Sequence, residues 1–314
     1  MDLMIPILAA VVGIAVIIFL VITVFSRPSR GKGTRSKGRE ATLKKASKRL
    51  EQNPRDPQAL SELGDLYYRE EDWDQAYRTY GLLAEIGGQV GGQSIDEFET
   101  NLRWGMSALK LGLTDEAYKG LHAARNINPN HFEVAHNLGV LEFQRKNYEK
   151  SIQLLNQARV QDPDSAPNLR TLGHAYFRVK KNKEAMTHIR KAIELAPDDR
   201  ESLYTLAECY YEAGQTEQAL RVFNHLRGDP AMGADACLTC GIIHTEGRQY
   251  EKAINDFELG LRHENIKADV RTELSYRLAT SYLKENDIAK AITLLRGIQA
   301  ENPTYKDVAV LIGK

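Results

Sequence analysis

Cysteine is scarce in this sequence, and the short motifs typical of enzymes are missing. Only three cysteines occur among 314 residues, which excludes a fold held together by disulfide bonds. The sequence has no P-loop, no G-x-G-x-x-G, no G-x-S-x-G and no H-E-x-x-H motif, and its eight histidines are scattered. We therefore expect a protein that is not an enzyme and that binds no cofactor.

The chain also lacks a net charge, but this balance combines two segments of opposite sign. Residues 1–49 hold ten basic and two acidic side chains, whereas the other residues hold 32 basic and 40 acidic ones. Such asymmetry is typical of a tail that faces a membrane or a nucleic acid, joined to a separate folded body. The body is acidic, so it gives no reason to expect a nucleic acid as its partner.

Charged residues are absent from one long apolar run, Leu3 to Phe25. As a helix, this run would extend about 34 Å, enough to cross a hydrocarbon core of about 30 Å. A cleaved signal peptide is the alternative, but it would have a basic residue before a shorter apolar run. We predict an uncleaved transmembrane anchor over residues 1–26.

The segment that follows the apolar run is strongly basic, and it predicts an orientation. All ten bases of the amino-terminal segment lie between Arg27 and Arg49, on the carboxyl side of the run. The positive-inside rule then predicts a single-pass protein of a bacterial inner membrane with its body in the cytoplasm. We predict a flexible linker over 27–49 near anionic lipid head groups, although Glu40 to Leu50 also fits an amphipathic helix. A nucleic-acid-binding arm is disfavoured, because no aromatic residue is interleaved among the bases.

The body of the sequence repeats itself about every 34 residues. A small residue recurs with spacings of 41, 34, 34, 34, 34 and 38. It is found at Gly64, Gly105, Gly139, Gly173, Ala207, Gly241 and Ala279. A second small residue follows twelve positions later, a bulky apolar residue four positions after that, and most repeats end near a proline. Small residues let two helices approach closely, a large residue fills the gap between them, and proline cannot continue the second helix.

These residues resemble the tetratricopeptide repeat (TPR), a helix–turn–helix unit of 34 residues. The resemblance implies an all-α fold, a right-handed TPR superhelix, or alpha solenoid, of about seven repeats over residues 50–304. The repeats are predicted to start near residues 57, 98, 132, 166, 200, 234 and 272. Such a stack needs no metal or disulfide, because each repeat buries its apolar faces against its neighbours. Residues 305–314 are predicted to form a helix that caps the last repeat.

Two of the spacings are longer than 34 residues, which predicts insertions at two joints. The first joint, residues 87–94, contains four glycines and predicts a flexible loop. The second insertion lies around residues 264–268. Both fit insertions that a surface loop tolerates, and the first also fits a hinge between the first two repeats.

One pair of cysteines has the spacing of a metal or redox motif. Cys237 and Cys240 form a single C-x-x-C, and His244 follows one helical turn later. A zinc ribbon would have a second such pair, and a thioredoxin-type motif would lie in a βαβ unit. Both cysteines occupy packing positions of their repeat, so we predict that they pack between helices. A metal site formed by these three residues is the weaker alternative.

The TPR resemblance also implies a partner-binding groove, formed mainly by the first helix of each repeat. Its predicted lining is aromatic, with a basic side beside an acidic side. The residues assigned to it are His136, Phe143, Arg170, His174, Phe177, Arg178, Tyr204, Glu208, Tyr211 and Tyr276. Exposed aromatic and charged side chains suit an extended peptide or a helix. Of these, we predict that Arg170, Phe177, Arg178 and Tyr211 matter most for binding.

Together these features predict a membrane-anchored scaffold that binds a peptide or helix of a client protein as an assembly or adaptor factor. The layout resembles bacterial membrane-anchored TPR proteins such as the lipopolysaccharide assembly protein B group. That group carries a rubredoxin-like knuckle with paired C-x-x-C motifs, which this sequence lacks, so its regulatory role is not transferred. Two alternatives remain open: a metal- or redox-responsive sensor built on Cys237 and Cys240, and an envelope-side factor for secretion, pilus or cytochrome assembly.

Overall fold

A computed structural model describes residues 37–90 and 95–313, and within these ranges every regular element is an α-helix. The sixteen helices of the described residues are α1 Lys37–Gln52, α2 Pro57–Arg69, α3 Trp73–Val90, α4 Glu97–Lys110, α5 Thr114–Ile127, α6 Phe132–Gln144, α7 Tyr148–Gln161, α8 Ala166–Arg178, α9 Asn182–Leu195, α10 Arg200–Glu212, α11 Thr216–Leu226, α12 Gly233–Glu246, α13 Tyr250–Leu261, α14 Ala268–Lys284, α15 Ile288–Glu301 and α16 Val308–Ile312. The all-α helical-repeat prediction is therefore confirmed.

The predicted membrane anchor, residues 1–26, lies outside the described residues, as does the linker up to residue 36. Among the helices that the structure describes, none combines the length and the apolar character needed to span a bilayer. The chain divides into two compact units, one ending at Arg145 and the other beginning at Lys146. The first contains α1 to α6, and the second contains α7 to α16.

The small residues of the repeat lie where two helices of a pair touch. A methyl group added to Gly64 in α2 would lie 2.9 Å from the Tyr80 ring of α3. One added to Gly241 in α12 would lie 2.2 Å from the Phe257 ring of α13. Both rings are buried. The repeat therefore places a residue without a side chain opposite the bulky residue that fills the pair, as expected for close helix packing.

The turns between paired helices share a feature that the sequence pattern does not reveal. Each of the seven turns contains one residue in the left-handed region, with φ between 56° and 74°. These residues are Glu71, Gly112, Lys146, Lys180, Gly214, Arg248 and Asn286. They recur at the spacing of the repeat, although only two of them are glycine, the residue that adopts this conformation at least cost. The turn conformation therefore recurs with the repeat and does not depend on glycine at this position.

Part of the predicted flexible linker is helical, which corrects that prediction for residues 37–49. Helix α1 buries Ala46 completely and packs Leu43 and Leu50 against the core of the first pair. Lys45 Nζ lies 2.8 Å from Glu62 Oε1, and Arg39 Nε lies 2.7 Å from Glu70 Oε1. The bases of this stretch thus pair with carboxylates of α2 and its carboxyl end, and the apolar stripe makes the helix an extra layer of the unit.

The first four residues of the predicted loop at residues 87–94 are helical, which corrects the prediction for residues 87–90. Helix α3 continues through Gly87 and Gly88 to Val90, and residues 91–94 lie outside the described residues. Each glycine in a helix costs about 0.5–1 kcal/mol relative to alanine. Leu83 and Ile86 are both buried in the unit core, so tertiary packing offsets that cost.

The predicted capping helix is present but short. It spans only Val308–Ile312, and its buried Val308 packs with Leu295 and Ile298 of the last pair. The residues before it contribute polar contacts instead. Tyr305 Oη donates a hydrogen bond to Glu273 Oε2 at 2.5 Å, and Lys306 forms an ion pair with the same carboxylate. The last repeat is therefore closed by a small apolar cap and a hydrogen-bonded turn.

Candidate functional site

The first helices of three successive pairs in the second unit form a continuous side-chain surface. We call it the α8–α10–α12 face. Helix α8 contacts α10 through His174 Nδ1, which lies 3.8 Å from Glu201 Oε1. Helix α10 contacts α12 through two polar contacts: Tyr204 Oη lies 3.4 Å from Thr239 Oγ1, and Tyr211 Oη donates to Glu246 Oε1 at 2.7 Å. These side chains therefore share one surface.

The structure does not bring all ten predicted groove residues together. Seven lie on the α8–α10–α12 face: Arg170, His174, Phe177, Arg178, Tyr204, Glu208 and Tyr211. Tyr276 is on α14 of the same unit, whereas His136 and Phe143 are on α6 of the first unit. His136 stacks on Phe132, with ring centroids 5.6 Å apart and nearly parallel planes.

Helix α8 supplies two basic side chains, Arg170 and Arg178, and both already contact other side chains of the second unit. Arg170 Nη1 lies 3.4 Å from Asp199 Oδ2, and Asp199 also caps α10 by accepting a hydrogen bond from the Ser202 backbone N–H. Arg178 is placed over the Tyr148 ring, 5.6 Å from its centroid, and its Nε donates to Tyr148 Oη at 3.3 Å. A ligand must therefore compete with, or add to, these intramolecular contacts.

His174 is a buried residue, so it is not an open groove side chain. Its Nε2 has no hydrogen-bond partner among the described residues. Burial lowers the pKa of His174, and the opposing effect of nearby Glu201 is smaller. The imidazole is thus neutral at pH 7 and belongs to the floor of the face.

The aromatic residues of the face are half-buried and anchored. Phe177 packs on the core cluster that contains Ile189 and Cys209. Tyr204 meets the buried Phe223 ring edge-on at 5.3 Å. Tyr211 packs on the neighbouring cluster while its hydroxyl reaches Glu246. Rigid, partly exposed aromatic side chains of this kind provide contact area for a partner at a low entropic cost.

Glu208 differs from the acids around it. It is half-buried, and within the described part of the chain it makes no hydrogen bond and no ion pair. By contrast, Glu212 pairs with Lys180 Nζ at 2.6 Å, and Glu246 accepts from Tyr211. Burial, reinforced by the nearby Glu212, raises the pKa of Glu208 to about 7. The face therefore contains a half-buried carboxyl group that has lost part of its hydration and makes no hydrogen bond or ion pair with the described residues.

A second unpaired acid on this face was not predicted. Asp235 on α12 is half-buried, and burial raises its pKa. Asp235 is the second residue of the repeat predicted to start near residue 234. The TPR resemblance implies that the second residue of a repeat faces the groove, so the pattern could have identified Asp235. Asp235 and Glu208 are on neighbouring helices that meet at Tyr204 and Thr239. Together they place two half-buried acids at the centre of the face.

Tyr276 is in contact with residues 305–307. Its hydroxyl donates to Asp307 Oδ1 at 2.7 Å, and its ring meets the Tyr305 ring edge-on at 5.8 Å. Lys306 Nζ lies 4.4 Å from the ring centroid. The sequence pattern alone does not show that a segment about thirty residues later covers this tyrosine.

The C-x-x-C residues are buried in the core of the second unit. Cys237 and Cys240 have no exposed surface, and burial raises their pKa values to about 12 and about 11. His244 Nδ1 lies 2.6 Å from Asp256 Oδ2, and Asp256 also pairs with Arg227 at 2.6 Å. Among the described residues, no group of three or more histidine, cysteine or acidic side chains is arranged to hold a metal. The geometry favours packing thiols.

Two family models match the sequence. The tetratricopeptide repeat protein 21 C-terminal ARM domain matches residues 115–312, and a tetratricopeptide repeat model matches residues 59–93. No curated protein sequence matches the chain. The repeat-family prediction is therefore confirmed by matches in both units.

Several solved structures of low sequence identity are similar to this chain. A tetratricopeptide repeat protein from Parabacteroides merdae is 13% identical with a TM-score of 0.53, covering 82% of this chain and 97% of its own. YrrB, described as a TPR protein with an unusual peptide-binding site, is 16% identical with a TM-score of 0.49, covering 60% and 95%. MamA from Desulfovibrio magneticus is 18% identical with a TM-score of 0.47, covering 54% and 92%. At these identities the Parabacteroides structure supports the fold alone.

Proposed function

Since this chain belongs to the family of the tetratricopeptide repeat protein 21 C-terminal ARM domain, we propose that it is a protein-interaction scaffold without catalytic activity. Its α8–α10–α12 face binds a peptide or a helix of a client protein. Helical repeats of this kind present extended surfaces of first-helix side chains to partners. The anchored aromatic residues of the face supply contact area.

The observation that carries this proposal is the unpaired carboxylate of Glu208. A half-buried charge without a partner costs stability, because part of its hydration is lost and no hydrogen bond or ion pair replaces that part. A client that places a basic side chain against Glu208 would restore the missing partner. The neighbouring Asp235 adds a second acceptor, and Tyr204 and Tyr211 flank the site. The proposed client segment therefore combines one basic residue with apolar residues.

The amino-terminal segment extends the proposal to the membrane. The uncharged run from Leu3 to Phe25 has the length of an anchor, and the bases that follow it favour a cytoplasmic body. In this arrangement the scaffold holds its client beside an inner membrane. Anionic lipid head groups contact bases of the segment 27–36, since Arg39 and Lys45 already pair with acids of the first unit.

Selection of peptides on the full chain tests the binding face. A displayed random peptide library is panned against the full chain in neutral detergent, and the enriched peptides are measured by fluorescence anisotropy. We expect peptides with a basic residue beside apolar ones, and about tenfold weaker binding to Glu208→Gln. A matched control is Glu194→Gln, an exposed residue on the second helix α9. Equal affinity for the wild type, Glu208→Gln and Tyr211→Ala would exclude this face as the site.

Membrane topology is tested separately. In spheroplasts that express a carboxyl-terminally tagged chain, the repeats should resist added protease until the cells are lysed. Digestion in intact spheroplasts would overturn the cytoplasmic orientation and favour an envelope-side role. The outcome does not affect the peptide-binding test.

A further inference from the structure

The first unit contains a pocket that the proposed function does not use. It is formed where α2, α3 and α4 meet, and its free space is about 200 Å³. Leu83 and Tyr80, both buried, form an apolar wall. The polar side chains of its lining are Ser61, Asp65, Asp96, Glu99, Thr100 and Arg103.

Arg103 is the one basic residue of the pocket lining, and it is already bonded to other lining residues. Arg103 Nη1 pairs with Asp65 and donates to Tyr80 Oη at 2.9 Å, while its Nε donates to Glu99 Oε1 at 2.5 Å. Tyr80 Oη in turn donates to Asp65 Oδ1 at 2.6 Å. These bonds fix the acids in place without saturating them, because each carboxylate keeps a second oxygen. Three acids against one arginine leave the pocket negative.

Thr100 adds an unpaired hydroxyl to the lining of the pocket. This residue is only 4% exposed, yet its hydroxyl makes no hydrogen bond to any residue that the structure describes. Several other helical threonines satisfy their hydroxyl with the carbonyl four residues earlier, as Thr171 does with Pro167. The hydroxyl oxygen itself is not fully buried, because it opens onto the pocket. The hydroxyl lines the pocket, where an incoming donor would reach it.

From these features we propose that the pocket holds a lysine side chain of a partner protein. The aliphatic stem of lysine fits along Leu83 and Tyr80, and its ammonium carries three donors for Thr100 and the free carboxylate oxygens. An anion is repelled by the excess of acids. A neutral apolar side chain would leave the acids and Thr100 unpaired, which costs binding energy.

The test uses peptides and the indole signals of the first unit. The chain has two tryptophans, and Trp104 adjoins Arg103 and packs on the same core as Tyr80. The full chain, labelled with ¹⁵N-tryptophan, is titrated with acetyl-Leu-Lys-Leu-amide. Matched peptides carry acetyl-lysine, norleucine or arginine in place of lysine. We expect a saturable shift of the Trp104 indole signal with lysine, and at least about tenfold weaker binding for the other three peptides.

Three variants connect that shift to the pocket. Asp96→Asn with Glu99→Gln removes two charges but keeps the cap of α4, because asparagine caps as well as aspartate. Thr100→Val removes the hydroxyl at constant size. Each should weaken lysine-peptide binding about tenfold or more. The matched control, Asp74→Asn with Glu85→Gln, removes two charges of the same unit outside the pocket and should leave binding unchanged.

The result can separate this site from the client-binding face. Glu208→Gln should not alter the titration with the lysine peptide. The lysine assignment of the pocket can therefore be refuted while the client-binding face is supported, and the reverse is also possible. A Trp104 signal that does not move up to millimolar peptide would overturn the lysine assignment. So would equal binding of the acetylated or arginine peptide, or an equal loss in the control variant. Far-UV circular dichroism of each variant verifies that the helices are intact.

Discussion

Replacing Glu208 by glutamine should stabilise the folded chain, and the gain should depend on pH. Burial and the nearby Glu212 raise the pKa of this carboxyl, and the bases Arg178 and Lys180 oppose the effect without reversing it. Asp235 on α12 adds to the rise. Above pH 7 the wild type therefore holds a charge that its surroundings disfavour, whereas glutamine holds none.

The sign and size of the effect follow from the pKa. The folded state binds more protons than the unfolded state between pH 4.5 and about 7, so wild-type stability falls as pH rises through that window. At about 1.4 kcal/mol per pKa unit the ceiling is about 3 kcal/mol. The carboxyl retains some access to water, which lowers the expected gain for Glu208→Gln to about 1–2 kcal/mol at pH 8. At pH 4 the gain should vanish, because the wild-type carboxyl is then protonated in both states.

Urea unfolding at pH 4, 6 and 8 measures this difference. Circular dichroism is the suitable signal, since both tryptophans, Trp73 and Trp104, lie in the first unit and do not report on α10. Hydrogen exchange of the amides in α10 localises the change. Glu194→Gln, on the exposed side of α9, should change stability by less than about 0.5 kcal/mol at every pH. The reasoning is refuted if Glu208→Gln is neutral or destabilising at pH 8, or if its effect is the same at pH 4.

Three further predictions concern other parts of the second unit. Burial opposes ionisation of Glu273, but hydrogen bonds from Lys306, Tyr305 and Arg277 lower its pKa to about 2. Glu273→Gln should therefore cost about 1–2 kcal/mol at pH 7, and this loss should shrink as pH falls from 4.5 towards 2, as followed by urea unfolding. Gly241→Ala should destabilise by about 1–3 kcal/mol in thermal melts, because its new methyl group meets the buried Phe257 ring. The three thiols should react with Ellman's reagent only after unfolding, because all three are buried and protonated.

Each of these experiments has an internal comparison. Gly297 is also helical, but a methyl group added there meets nothing within 4 Å. Gly297→Ala should therefore raise stability by about 0.5–1 kcal/mol, and a loss equal to that of Gly241→Ala would argue against the packing explanation. Glu251→Gln, an exposed residue, is the control for Glu273. Rapid reaction of Cys237 and Cys240 in the native chain would restore the redox alternative.

The sequence pattern could predict most residues of the site, but it could not predict which of them are paired with other side chains. The TPR pattern assigns Arg170, Glu208 and Tyr276 alike to first-helix positions. The structure separates them, because Arg170 pairs with Asp199, Tyr276 is covered by the turn at residues 305–307, and Glu208 has no partner among the described residues. Partners of this kind come from other helices, and a pattern within one repeat cannot contain them.

The sequence by itself determined the helical-repeat fold and the packing role of the small residues. That information is local: a 34-residue period and one small residue opposite one large one specify how two adjacent helices pack. Tertiary structure alone decided that the bases of α1 pair with the first repeat, that Gly87 and Gly88 remain helical, and that Thr100 lines a pocket. Each of these depends on side chains from several helices, whose combined burial and charge appear only once the helices are packed.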